Sequence, residues 1–161
     1  MSADLLHRVQ QATFDGWCAE AAVHPGGEIA EIDGLLCHTT GIPVRQWNGV
    51  HLIRRPADPV AALRASMDWF RVRSLAYAVL LPVAEEPSLA PACGTVGLEL
   101  VKVQRVMALR RADFRAAAVP PELVVRPATD AADVVGVAAA CFGDPPAAMA
   151  RFVEPTLGHP G

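Results

Sequence analysis

The chain has 161 residues and a mass of 17.0 kDa, which is the length of one ordinary domain. Hydrophobic residues make up 52% and charged residues 19%, and this composition is globular and excludes a disordered chain. The net charge of −3 gives no excess positive field to hold a phosphate backbone, so we expect no nucleic-acid partner.

The hydropathy pattern along the chain predicts a protein without a membrane partner. No apolar run approaches the ~20 residues needed to span a bilayer, and the first residues lack the basic-then-apolar order of a signal peptide. We therefore expect a cytoplasmic location. The cysteines are widely spaced, with no C-x-x-C pair, and we interpret them as small buried hydrophobes: Cys18, Cys37, Cys93 and Cys141.

The first third of the chain predicts a helix followed by a hairpin. Apolar residues recur every three or four positions from Leu5 to Ala21, which indicates an amphipathic helix. Pro25 cannot continue that helix. Strands are predicted over Glu28–Asp33 and Leu35–Thr40, because Asp33-Gly34 readily adopts the positive φ of a tight turn.

A strand–helix–strand unit is predicted next. A third strand covers Asn48–Ile53. Asp58 is a good N-cap and Pro59 fits the first helical position, so a helix is predicted from Pro59 to about Arg73. The nearly continuous apolar run Leu75–Leu81 is typical of a strand buried on both faces. Strands joined through a helix in this way run parallel.

The remaining elements extend this mixed α/β pattern, and the sheet is predicted to be partly antiparallel and flanked by helices. The predicted elements are a helix over Pro87–Val96, a strand over Leu98–Leu109 with a bulge between Leu100 and Val101, a strand over Glu122–Arg126, a helix capped by Thr129 or Asp130 from Ala131 to about Phe142, and a helix over Ala147–Leu157. The domain prediction is one module over residues 1–112, a linker over 113–121 and the start of a second module over 122–161.

Two histidines on predicted strands, His38 and His51, are the first candidates for a site. They are interpreted as solvent-facing or hydrogen-bonded strand residues, and proximity across the sheet is what a catalytic pair would require. The chain carries no phosphate loop, no dinucleotide-binding glycine pattern and no nucleophile elbow.

Charged and aromatic candidates have two interpretations each. Glu28 and Glu31 suit a general base toward an ammonium group, and the favoured interpretation is the polar face of an edge strand. The arginines suit a phosphorylated ligand, and the favoured interpretation is surface charge: Arg54-Arg55, Arg71 with Arg73, and Arg110-Arg111. The large aromatic residues are interpreted as core or interface anchors: Trp47, Trp69 and Phe70.

Several short patterns in a fixed order resemble a known family. The run from Gly26 to Pro43, with Trp47-Asn48-Gly49-Val50 and Asp58-Pro59, resembles the opening of bacterial GNAT-superfamily N-acetyltransferases. Gly97-Leu98-Glu99 with Val106-Met107-Ala108-Leu109 resembles the last strands of that module. The stretch Leu123–Asp130, with Cys141-Phe142-Gly143 and Pro145-Pro146, resembles the entry of a second GNAT module. The resemblance covers nearly the whole chain and implies the amino-terminal portion of a two-module protein.

This resemblance implies acyl transfer from acetyl-CoA to a small amine. In the family the cofactor is held by a loop of pattern [RQ]-x-x-G-x-[GA] after the fourth strand, where backbone N–H groups at a helix N-terminus bind the pyrophosphate. The corresponding loop here runs from Arg54 to Pro59 and lacks every glycine of that pattern. We therefore expect no cofactor-binding residue in this loop, assign no catalytic and no metal-binding residue, and expect the rest of the second module, with its donor loop, beyond Gly161.

Three functions remain open at this stage, and the weakest of them is a regulatory ligand-binding domain that uses the hairpin and Trp47. The first is a GNAT-type N-acetyltransferase, inactive unless something supplies the donor site. The second is a non-catalytic GNAT-fold module for homodimerisation or small-ligand binding. The exposed edge of the predicted strand Glu122–Arg126 is expected to pair with the first module's sheet or with a second chain.

Overall fold

The computed structural model describes residues 3–82, 86–103, 115, 120–122, 128 and 130–157. The helices are α1 (Ala3–Val23), α2 (Pro59–Arg71), α3 (Glu86–Thr95), α4 (Ala131–Phe142) and α5 (Pro146–Val153), with a 3₁₀ helix over Arg45–Trp47. The strands are β1 (Glu28–Ile32), β2 (Leu35–Thr39), β3 (Asn48–Leu52) and β4 (Ala78–Leu80). These elements confirm the mixed α/β class.

The described strands form one mixed sheet in the order β1-β2-β3-β4. β1 pairs antiparallel with β2 and β2 antiparallel with β3, whereas β3 and β4 run parallel. The predicted hairpin is confirmed, because Asp33 and Gly34 both adopt positive φ, 42° and 84°, as a two-residue turn between twisted strands requires. The predicted parallel pair joined through a helix is confirmed as well.

Helix α2 covers one face of the sheet, and its start is the predicted one. Asp58 is the N-cap, with its Oδ1 accepting a hydrogen bond from the Ala61 amide at 3.0 Å, and Pro59 occupies the first helical position. Leu63 and Phe70 of this helix are buried against the sheet side chains of the same apolar cluster: Leu35, Cys37, Val50 and Leu52. This face therefore carries the larger described core.

Two strand predictions differ from the structure. The strand expected over Leu75–Leu81 is reduced to Ala78–Leu80, and its side chains are half-buried rather than buried on both faces. The Ala76 carbonyl instead accepts a hydrogen bond from the Asn48 side chain at 2.9 Å, which takes that carbonyl out of the ladder. The strand expected over Leu98–Leu109 is wrong for its first half, since residues 98–103 form neither helix nor strand.

The strand predicted over Leu98–Leu109 is wrong for residues 98–103 because buried and exposed side chains do not alternate there. Leu100 and Val101 are adjacent and 77% and 70% exposed, so neither of their two faces is packed against a described element. The predicted bulge between them is wrong for the same reason. Residues 104–109 of that prediction lie outside the described residues, and so does most of the predicted linker. Of the strand expected over Glu122–Arg126, only Glu122 is described, and it lies in a turn.

Helices α4 and α5 form a second apolar cluster with residues of the β2–β3 connection. Ile42 and Trp47 are buried against Met149 and Val153 of α5, and Phe152 stacks on Trp47 at 4.4 Å between ring centroids. Asp130 caps α4 by accepting a hydrogen bond from the Ala132 amide. The helix predicted to reach Leu157 ends at Val153, two residues before a proline that cannot continue it.

The aromatic anchors and the cysteines divide between core and surface. Trp47 and Phe70 are buried as predicted, and Trp69 packs half-buried against the larger cluster. Of the cysteines only Cys37 is buried, while Cys141 is exposed, so the prediction of four buried cysteines is wrong. Within the described ranges no helix combines the length and apolar character needed to cross a membrane.

Candidate functional site

The structure brings His38 and His51 together on the face of the sheet opposite α2. His38 of β2 lies across from Gly49 of β3, and His51 lies across from Leu36, so both histidines point to the same side. Their rings stack with centroids 5.0 Å apart and planes at 28°. The side chains are 1% and 2% exposed. The interpretation of these residues as solvent-facing is therefore wrong. The hydrogen-bonded alternative is wrong for His38, since neither of its ring nitrogens has a partner among the described residues.

Gly49 makes room for this pair. A Cβ atom at that position would lie 2.7 Å from Cε1 of His38 and 3.3 Å from Nε2 of His51. The first distance is well inside van der Waals contact, and the histidine rings are confined by the helix above them. The absence of a side chain at Gly49 is thus a condition for the stacked arrangement.

Gly49→Ala is accordingly expected to lower the free energy of unfolding by about 1–3 kcal/mol through overpacking. Urea unfolding followed by circular dichroism measures it. Gly136→Ala is the matched control, because a Cβ at Gly136 meets nothing within 4 Å and lies inside helix α4. That control is expected to raise stability by up to about 1 kcal/mol. Equal shifts of the same sign in both variants would contradict the crowding at Gly49.

Helix α1 covers the histidine pair with two aromatic side chains. Trp17 stacks on His38 with centroids 5.0 Å apart, and the edge of Phe14 meets His51 at 5.3 Å. Phe14 and Trp17 are three positions apart, which places both on one face of the helix. The pair is therefore closed off from solvent by rings above and by Gly49 below.

The ring nitrogens of the pair are short of hydrogen-bond partners. Nδ1 and Nε2 of His38 and Nε2 of His51 are buried and have no partner among the described residues. Burial lowers the pKa of His38 from 6.5 to about 4, and burial followed by the neighbouring His38 lowers the pKa of His51 to about 4. Both imidazoles are therefore neutral at pH 7. Deprotonation of an ammonium group by bases this weak is strongly uphill.

A third histidine lies at the end of α1. His24 is buried, its Nε2 has no partner within the described ranges, and burial lowers its pKa. Its ring stacks on Phe152 of α5 at 5.2 Å. His24 thus joins the end of α1 to the second apolar cluster rather than to the histidine pair.

The 54–59 loop, which follows β3 and leads into α2, is held by acidic side chains. The Ala57 amide donates to Oδ2 of Asp33 at 3.1 Å, and the Ala61 amide donates to Oδ1 of Asp58 at 3.0 Å. The two prolines of the loop have no N–H to donate. Arg54, the first residue of the loop, contacts the carboxylates of Glu31 and Asp33 at 3.1 and 3.5 Å.

The other charged candidates form ion pairs at the sheet edge. Glu28 lies on the edge strand β1 and contacts Arg73 at 2.6 Å, and the hydrogen bond from Arg73 holds the pKa of this carboxyl below its usual value. Arg73 also stacks over the Trp69 ring at 3.9 Å, and Arg71 pairs with Asp68. The favoured interpretation of these residues as edge-strand and surface charge is confirmed; Arg110 and Arg111 lie outside the described residues.

The sequence did not indicate four residues that contribute to the histidine pair or to the 54–59 loop: Phe14, Trp17, Gly49 and Asp33. One feature of the sequence could have indicated the histidine pair. Side chains alternate between the two faces of a sheet, so once β2 and β3 pair as they do, positions 38, 49 and 51 lie on the same face. No group of three or more potential metal-ligating side chains gathers anywhere in the part of the chain that the structure describes.

The chain was also compared with known proteins. No protein-family model, no curated protein and no solved structure matches it.

Proposed function

We propose that this chain is a non-catalytic module of the GNAT type, which does not hold acetyl-CoA at the 54–59 loop. The observation that carries the proposal is the hydrogen bonding of that loop. The Ala57 amide of the loop and the Ala61 amide in the first turn of α2 already donate to the carboxylates of Asp33 and Asp58. The amine acceptor and the homodimer implied by the resemblance and the strand pattern stay predictions.

The order of elements supports the GNAT part of the proposal. An antiparallel hairpin leads through β3 and the 54–59 loop into α2, and the chain then returns as a strand parallel to β3. The resemblance places a donor loop between a strand and the N-terminus of a helix. The 54–59 loop has that setting, although it follows the third described strand and the family's loop follows the fourth. A helix N-terminus there would suit a pyrophosphate, since its first N–H groups lack partners within the helix.

The chemistry of the loop supports the non-catalytic part. Each carboxylate accepts the hydrogen bond of an amide that could otherwise donate to a phosphate oxygen. Each carboxylate also adds a negative charge that repels an anionic cofactor. Arg54, which could offset that charge, is engaged by Glu31 and Asp33. The neutral, covered imidazoles of His38 and His51 are too weakly basic to take a proton from an ammonium acceptor at pH 7.

Calorimetric titration of acetyl-CoA into the full chain tests the proposal. We expect no heat of binding at millimolar cofactor for the wild type. The double variant Asp33→Asn/Asp58→Asn removes both charges and keeps residues suited to the turn and to the helix cap. Weak binding by this variant alone would support the charge argument.

Micromolar binding by the wild type would contradict the proposal and favour the acetyltransferase alternative. Acceptor amines would then be screened with the same protein. Circular dichroism of both proteins provides the control, since a loss of helix in the double variant would make its titration uninformative about the loop; the wild-type titration decides by itself in that case.

A further inference from the structure

Helix α1 is attached to the rest of the molecule in an unusual way. Neither of the two buried apolar clusters formed by the described residues includes a side chain of α1. The first cluster lies between the sheet and helices α2 and α3, on the opposite face of the sheet. The second joins α4 and α5 to the β2–β3 connection. Ala21 is the one described residue of α1 that is buried, at 1% exposure, and it belongs to neither cluster.

Ring contacts with histidines attach α1 instead. Trp17 stacks on His38, Phe14 meets His51 edge-on, and His24 at the end of the helix stacks on Phe152. Beyond His24 the chain turns sharply, with the Gly27 amide donating to the His24 carbonyl at 2.9 Å. The contacts of Phe14 and Trp17 with the sheet thus depend on the imidazoles of His38 and His51, which have to stay uncharged while α1 covers them.

We propose that α1 is an acid-released latch, which lies on the sheet while His38 and His51 are neutral and lifts from it when they take up protons. The proposed function is carried by the hydrogen bonding of the 54–59 loop, whereas this inference is carried by the ring contacts of α1, so either one can fail without the other. The element that moves is the helix at 3–23, and the element that stays is the sheet with α2.

The physical basis is the lack of acceptors around the pair. A protonated imidazole carries two N–H donors, and the nitrogens of His38 have no acceptor among the described residues. A second charge on His51, at 5.0 Å between ring centroids, adds like-charge repulsion in a poorly solvated place. The Trp17 face attracts a cation and offsets a part of this, but it supplies no acceptor for an N–H group.

Other titratable groups act in both directions. His24, at the end of α1, is buried with its pKa lowered, so its protonation adds to the release. The groups beside the pair act weakly or in the opposite direction. On α1, Asp15 is exposed, Cys18 keeps its thiol because burial raises its pKa, and burial raises the pKa of the half-buried Glu20. Glu20 therefore favours the closed helix as the pH falls. β4 brings Leu80 toward the pair and contributes no ionisable side chain, and the β1 carboxylate of Glu31 is paired with Arg54.

The pH window follows from these values. The closed pair binds protons with a pKa of about 4, whereas a solvated histidine binds them at its ordinary value of 6.5. The open form therefore takes up protons first as the pH falls below 6.5, and the closed form loses its advantage. Each histidine raises the opening equilibrium by up to about tenfold per pH unit until about pH 4, where the closed form also titrates.

Hydrogen exchange measured by mass spectrometry on the full chain, from about pH 7 to about pH 4.5, tests the latch. Rates are divided by those of an unstructured peptide at each pH. We expect the amides of α1 to lose at least about tenfold of their protection across the range, while those of α2 and β3 keep theirs. His38→Phe/His51→Phe keeps two stacked rings and removes both titrations, so it should remove the pair's part of the response and leave only the contribution of His24. His7→Phe, at an exposed position of the same helix, should keep it.

Three outcomes would overturn the proposal. One is protection of α1 that does not change with pH in the wild type, and another is an undiminished acid response in the double phenylalanine variant. The third is loss of protection in α2 at the same pH as in α1, which would mean global unfolding. If the double variant does not fold, His51→Gln alone decides, since it should reduce the pair's part of the pH dependence of α1 exchange by about half on a logarithmic scale.

Discussion

Asn48→Ala is expected to lower the free energy of unfolding by about 2–4 kcal/mol, because one buried side chain makes hydrogen bonds with five backbone and side-chain groups. Its Oδ1 accepts from the Thr39 hydroxyl at 2.5 Å and from the Thr40 amide at 3.3 Å. Its Nδ2 donates to carbonyls of the β2–β3 connection and of the segment that enters β4, namely Ile42, Val44 and Ala76 at 2.8, 2.9 and 2.9 Å. Alanine removes all of these bonds. The Ile42 and Val44 carbonyls keep the bonds that they accept from the Val44 and Trp47 amides, and the Thr39 hydroxyl keeps the one that it accepts from the Gly41 amide, so the main cost falls on the Thr40 amide and the Ala76 carbonyl.

Urea unfolding of the full chain, followed by circular dichroism, measures this effect. Gln46→Ala is the matched control, since the Gln46 side-chain amide lies two positions away and is bonded to Asp144 at the surface. Loss of a surface amide contact is expected to change stability by less than about 1 kcal/mol. A cost for Asn48→Ala no larger than that of the control would mean that solvent replaces the five bonds.

Asn48 also shows where the sequence was informative and where it was not. The strand that contains Asn48 was predicted within one residue, because short apolar alternation after a turn is a local pattern. The role of its side chain was not predictable, since its partner at Ala76 lies 28 positions away and belongs to a segment interpreted as part of a strand. The register places Ala76 opposite the 3₁₀ helix that ends at Trp47, so no strand is available to pair with it, and its carbonyl bonds to the Asn48 side chain instead.

Locally determined elements were predicted well for the same physical reason. The Asp33-Gly34 turn and the Asp58-Pro59 helix start each depend on backbone angles and caps within four residues. Residues 98–103 were predicted wrongly because apolar composition indicates a strand only when a partner strand or a core is available. Sequence composition alone does not specify that partner.

The candidate site lies between these cases. Once the register of β2 and β3 is known, parity places His38, Gly49 and His51 on one face. Their burial depends on where α1 docks, and the amphipathic pattern of a helix does not specify which face of a sheet receives it. The apolar face predicted from Leu5 to Ala21 contained Trp17, but nothing in its spacing indicated histidines as its neighbours.

Phe70→Ala is expected to lower the free energy of unfolding by about 3–5 kcal/mol, in the range found for buried phenylalanines. Phe70 lies in the last turn of α2 and is fully buried. Its ring stacks on Tyr77 at 4.3 Å and meets Trp69 edge-on at 4.7 Å, so truncation both opens a cavity and removes two aromatic contacts. Phe70→Leu keeps most of the volume and should cost less than the alanine variant.

Val72→Ala is the control for this change, since Val72 is 69% exposed two positions further along and should cost less than about 0.5 kcal/mol. The comparison also separates global stability from the movement of α1. Phe70 lies in the apolar cluster on the α2 face of the sheet, whereas the histidine pair lies under α1 on the other face. Phe70→Ala should therefore lower the urea midpoint of unfolding. It should leave the pH dependence of α1 hydrogen exchange unchanged over the pH range in which the variant stays folded without urea. A changed pH dependence would mean that the two faces of the sheet open together, and α1 would then be part of the same cooperative unit as α2.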